Sequence, residues 1–69
     1  MHGGFAVVKG LTSKQQVVCD LLARGLSNKE IARQIGITFR TVEYHRQEIY
    51  KKMDVRNVVE LVRKLLGAQ

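Results

Sequence analysis

The sequence predicts an all-α fold, a four-helix bundle-like domain with a helix-turn-helix at its centre. Three observations carry this prediction. Proline is absent, and the glycines sit outside helix interiors or at helix ends. Helix-capping patterns recur along the chain, each followed by apolar residues at helical spacing. Ala32, Gly36 and Val42 then have the spacing of two helices joined by a tight turn. Ala32 is small enough for two helices to approach. Gly36 can take the positive φ that ends the first of them, and Val42 plugs the angle between the two.

The first ten residues, Met1–Gly10, hold three of the six glycines and show no helical period, so they read as a flexible tail or linker. The Phe5-Ala6-Val7-Val8 patch inside them either packs on the domain or belongs to a neighbour. Residues 11–69 form the folded domain. Its first helix starts at Thr12, where Thr12-Ser13-Lys14-Gln15 fits the capping box, a hydroxyl taking one amide while Gln15 reaches back to another. Val17, Val18, Leu21 and Leu22 form its apolar stripe, with Cys19 beside them as a buried, inert thiol. Gly25 ends it as a left-handed cap.

Ser27-Asn28-Lys29-Glu30 is a second capping box. In the helix it opens, Ile31, Ala32 and Ile35 face inward while Lys29, Arg33 and Gln34 face out. The third helix is capped by Thr38 after Ile37 and runs to about Met53. At 3.6 residues per turn, Ile49 and Met53 each fall within about 20° of Val42, a narrow core seam. Arg40, Glu43, Tyr44, Gln47 and Lys51 lie roughly opposite, all able to form hydrogen bonds. Asn57-Val58-Val59-Glu60 caps a fourth helix that Gly67 closes. Its aliphatics Val58, Val59, Leu61, Val62, Leu65 and Leu66 cover more than one stripe, so one side packs on the first helix and the surplus suits a helix–helix dimer contact.

Charge points to the partner. Twelve basic residues against six acidic ones give a net charge of +6 on 69 residues, with a pI near 10.0. That surplus on one small domain implies a polyanion. An anionic membrane would need a basic face opposite a broad apolar one with bulky aromatics, and no helix has that pattern. No apolar run approaches a transmembrane span, and the first residues lack the basic region of a secretory signal, so a cytoplasmic location with no membrane partner is expected. The helix-turn-helix fits double-stranded DNA, its second helix lying in the major groove and its first crossing the backbone. Asn28 and Lys29, at a helix N-terminus with free amides and a positive dipole end, suit a phosphate.

Catalysis has little basis. His45 and Glu48 stand at i, i+3, a spacing seen in some metal sites. Neither His2 in the tail nor Cys19 converges on them, and no nucleophile has an activating base. No enzyme activity, metal or cofactor is expected. The competing reading is a dimerising protein-interaction module of the same fold that does not read DNA. Such a module has no need for Arg40, Arg46, Lys51, Lys52 and Arg56 near one end.

From Leu11 to about Leu66 the chain resembles the LuxR-type (GerE-like) DNA-binding domain of bacterial transcription regulators. The residues that carry the resemblance are Leu11-Thr12, Leu21-Leu22-Ala23-Arg24-Gly25, Ser27-Asn28-Lys29-Glu30-Ile31-Ala32, Ile37-Thr38, Thr41-Val42, His45 and Lys52-Met53. The segments TVEYHRQEIYKKM and ELVRKLL resemble the FixJ branch of two-component response regulators. The resemblance implies the third helix in the major groove, with Glu43, Tyr44 and Gln47 reading bases. It implies Thr38, Arg40, Thr41, Arg46 and Lys51 on phosphates, although Arg46 projects toward the core seam and can instead lie along the second helix. It further implies a homodimer through Val58, Val59, Val62 and Leu66 on a palindromic site, RNA polymerase as a protein partner, and a receiver or sensing domain before Leu11. Departures stand at four positions. Gln15 and Val17 occupy positions that are acidic in many members, Val58 replaces a frequent arginine, and Glu48 a common asparagine.

Overall fold

Residues 7–67 are described in the computed structural model, which contains four α-helices: α1 (Ser13–Ala23), α2 (Asn28–Ile35), α3 (Phe39–Met53) and α4 (Val58–Gly67). Phe5, Ala6 and His2 lie outside the described residues. No strand occurs among those described. α3 packs on both α1 and α2, α1 touches α2, and α4 lies against α1.

The helix starts follow from local chemistry. Thr12 Oγ1 accepts from Gln15 N–H at 3.1 Å, and Gln15 Oε1 accepts from Thr12 N–H at 3.1 Å. Ser27 and Glu30 repeat this reciprocal pair at α2, with distances of 3.2 and 2.8 Å. Thr38 caps α3 through Thr41 N–H at 3.1 Å, and Asn57 Oδ1 caps α4 through Glu60 N–H at 2.9 Å. At α4 the Glu60 carboxylate reaches one residue further back, accepting from Arg56 N–H at 2.8 Å. Each such cap contributes about 1 kcal/mol.

The helix ends are set by left-handed residues. Gly25 has φ 94°, Gly25 N–H donates to Leu22 O and Leu26 N–H to Leu21 O, the paired bonds of a Schellman turn. Gly36 has φ 72° and donates to Ala32 O. Asp54, at φ 57°, ends α3 in the same conformation without being glycine. A short polar side chain tolerates this region better than most, so the sequence carries only a faint stop signal there. Gly67 departs from expectation: α4 runs through it, and its φ is not positive.

Ten side chains form the core: Val18, Cys19, Leu21 and Leu22 from α1, Ile31 from α2, Val42, Ile49 and Met53 from α3, and Leu61 and Leu65 from α4. Val17 was expected in the α1 stripe but is 44% exposed. Of the two valines, only Val18 is in the core, because neighbouring positions differ by about 100° around the axis. Gln15 takes an inward position instead, and is buried. Its Oε1 accepts from Lys52 Nζ of α3 at 2.8 Å, and the same ammonium donates to Gly10 O at 3.0 Å. Gln15 is thus the neutral acceptor of an α1–α3 bridge. Ahead of α1, Val8 packs partly against the core and its N–H donates to Gln16 Oε1 at 2.9 Å. At the far end of α3, Lys64 Nζ donates to Met53 O at 2.6 Å, placing a cation on the negative end of the helix dipole.

Cys19 is buried as expected. Burial, with the charge of Asp20 as a second cause, pushes its thiol up from 9.0 to about 11. The folded state therefore keeps its proton longer than the unfolded chain, and this contribution to stability is lost as pH rises through 9 toward 11. Unfolding at a series of pH values should show wild type losing about 2–3 kcal/mol relative to Cys19→Ala across that window. Parallel pH profiles for the two proteins would contradict a buried neutral thiol.

Candidate nucleic-acid interface

The orientation of α3 follows from its seam. Val42 and Ile49 are fully buried and Met53 nearly so. With those side chains fixed inward, Glu43, Tyr44 and Gln47 stand on the outer surface, and all three are exposed, Tyr44 at 58%. Arg40 and Lys51 lie on the same surface and are exposed too. Carboxylate, phenol, amide and two cations therefore share one convex face of a 15-residue helix. Among the described residues, Lys51 Nζ has a partner in Glu48, an exposed pair at 3.4 Å of the kind that contributes little to stability.

At the start of α3, Thr38 is exposed and Thr41 half-buried, and their hydroxyls lie 2.8 Å apart. Two hydroxyls hold two hydrogens and their mutual bond uses one, so one is left to donate outward. Phe39 beside them is 44% exposed, an aromatic that the sequence reading passed over.

Asn28 and Lys29 open α2, Asn28 half-buried and Lys29 exposed. The capping box uses Glu30 N–H and Ser27 N–H, which leaves the amides of Asn28 and Lys29 without an intrahelical acceptor. Ser27 backbone and side-chain hydrogen bonds, with Arg33 nearby, hold the Glu30 carboxyl below the usual carboxylate range.

Arg46 reaches across to α2, the first helix of the motif, as its projection toward the core seam allowed. Its Nη1 donates to Asn28 Oδ1 at 2.7 Å and its Nε to Tyr50 Oη at 3.0 Å, with the guanidinium carbon 5.5 Å from the Tyr50 ring centre. The fold thus brings Asn28 and Arg46 together across the α2–α3 angle. Lys52, counted in the sequence with the basic end, is exposed, and its ammonium is tied to Gln15 Oε1 and Gly10 O.

On α4, Val59 and Leu66 are each 58% exposed. Val62 is half-buried, and Val58 packs partly against the core, so its side chain serves the fold as well. Leu61 and Leu65 take the inward positions. Among the described residues no group of three or more His, Cys, Asp or Glu is placed to hold a metal ion. No described helix is long and apolar enough to cross a membrane.

Residues 9–65 match the GerE family, described as bacterial regulatory proteins of the luxR family. The chain belongs to the luxR family. It is 41% identical over 61 residues to the transcriptional regulatory protein FixJ of Azorhizobium caulinodans, covering 88% of this chain and 29% of that protein. It is 41% identical over 54 residues to the tetrathionate response regulatory protein TtrR of Salmonella typhimurium, covering 78% and 26%. The transcriptional regulatory protein UhpA of Escherichia coli is 40% identical over 55 residues, covering 80% and 28%. The chain therefore spans less than a third of the length of these luxR-family relatives. No solved structure matches it.

One residue of the luxR motif carries an unbalanced cost. His45 Nδ1 is buried with no hydrogen-bond partner among the described residues, while its ring lies 5.8 Å from that of Tyr44. A buried orphan polar atom costs about 1–3 kcal/mol. His45→Leu, which removes the orphan at similar volume, should melt at or above the wild-type temperature in a thermal unfolding scan. A melting temperature several degrees lower would mean that the imidazole stabilises the fold.

Proposed function

We propose that this domain binds double-stranded DNA sequence-specifically as the effector part of a bacterial transcription regulator. The observation that carries the reading is the outward face of α3, where Glu43, Tyr44 and Gln47 are exposed while Val42, Ile49 and Met53 fix the helix from behind. Their chemistry suits base edges in the major groove. A glutamine amide pairs bidentately with adenine, a carboxylate accepts from cytosine, and a tyrosine ring meets a thymine methyl. Thr38, Arg40, Thr41 and Lys51 around this face, with Asn28, Lys29 and Arg46 at the α2–α3 angle, hold phosphates and set the register. Lys51 exchanges its weak bond to Glu48 for a phosphate. Relatives named as transcriptional regulatory proteins support the reading.

Two domains pair through α4 on a palindromic site. The exposed Val59 and Leu66, with Val62 and Val58 beside them, form a patch that water disfavours and a second copy can cover. Each half-site then raises the effective concentration of the other domain. The same reading places the protein in the cytoplasm, with RNA polymerase as its protein partner and with no catalytic role or cofactor.

Selection of binding sites from random duplexes at two salt concentrations tests the function directly. An enriched palindrome whose affinity falls with salt is expected, and no enrichment would contradict it. Gln47→Ala should relax sequence preference at one position by about 1–3 kcal/mol while leaving binding to arbitrary duplex nearly intact. Equal losses on every duplex would remove Gln47 from the base-reading set. Val62→Asp should abolish cooperative binding to the selected palindrome and leave half-site affinity unchanged. Undisturbed cooperativity would place the pairing surface elsewhere.

A further inference from the structure

We propose that Tyr50 is a positioning residue for Arg46, holding its guanidinium ready for a DNA phosphate. The inference rests on the DNA-binding reading above and adds to it a residue that neither the motif nor the charge pattern marks. Arginine on an exposed helix flank carries large rotamer freedom, which must be lost before it can hold a phosphate in one geometry. Arg46 loses that freedom within the fold.

Two anchors do this from different elements. Asn28 Oδ1, at the first turn of α2, takes Nη1 at 2.7 Å. Tyr50 Oη, one turn along α3, takes Nε at 3.0 Å. With Nε and Nη1 both tied, the plane of the fork is defined as well as its position. Tyr50 is suited to the task because its ring is half-buried and packs against the core. A phenol has few torsions, so a seated ring puts its oxygen in one place. The Arg46 guanidinium carbon lies 5.5 Å from the centre of that same ring. Of the five guanidinium N–H groups, the two anchors use two, leaving both on Nη2 and one on Nη1 for a ligand. The neighbours favour an anion: the unpaired amides of Asn28 and Lys29 and the Lys29 ammonium stand at the same end of α2.

Tyr50→Phe keeps the ring and removes the one atom that anchors Nε. Because the Arg46 charge remains, the number of phosphates neutralised is unchanged. Binding to a fluorescent duplex of arbitrary sequence, titrated over a salt series, should therefore weaken about 3- to 10-fold in Tyr50→Phe, with its salt slope unchanged. Arg46→Gln should lower that slope by about one, and adding Tyr50→Phe to it should cost nothing further. Wild-type affinity in Tyr50→Phe, or the same loss from Tyr50→Phe with and without Arg46, overturns the inference while leaving DNA binding intact. No salt-sensitive binding by wild type overturns both. Nitrogen-15 relaxation of the Arg46 Nε–H in the free wild-type domain gives a check independent of any variant's folding. An ordered N–H is expected, and one as mobile as a solvated arginine overturns the proposal.

Discussion

The apolar seam of α3 is the constraint on which the rest depends. Val42, Ile49 and Met53 recur at intervals of seven and four residues, and once they enter the core the helix cannot rotate about its axis. Turning it by one position, about 100°, would bury Glu43 in an apolar pocket and expose Val42, costing several kcal/mol in unpaired charge and lost burial. The direction in which Glu43, Tyr44 and Gln47 point is thus fixed by side chains on the opposite side of the helix.

The flanks of α3 complete the seating with polar contacts of opposite handedness. On one side, about 40° from the seam, Arg46 reaches Asn28 of α2. On the other, about 80° away, Lys52 reaches Gln15 of α1 and the carbonyl of Gly10. Lys64 holds the end of α3 in a similar way through Met53 O. Cations that add to the net charge of +6 therefore also serve as struts. The field that a polyanion meets is positive, and Lys29, Arg40, Lys51 and Arg56 are exposed to it.

α4 illustrates the economy of a small domain. It has more aliphatic surface than one neighbouring helix can cover, and Leu61 and Leu65 use the side that meets α1. Val59 and Leu66 remain outside, so the fold itself is complete without burying them. They are the surface that a second copy would cover in the proposed pairing. Lys52 on Gly10 and Val8 on the core tie residues 8–10 to the domain.

The helices, their caps and the turn at Gly36 were legible in the sequence because they depend on residues within four positions of one another. So were the seam of α3 and the face opposite it, which follow from helical periodicity alone. Val17, by contrast, fits the α1 stripe by spacing yet faces water, while the polar Gln15 is buried, because Lys52 arrives from 37 residues away to satisfy it. Asp54 ends α3 as a glycine would, and only the observed φ marks it. Local pattern therefore determined which elements form and which way α3 turns. Tertiary structure decided that Lys52 and Lys64 are struts, and that Arg46 is tied to Asn28 and Tyr50. Hydrogen bonds between distant residues depend on where two helices cross, and a one-dimensional period contains no such distance.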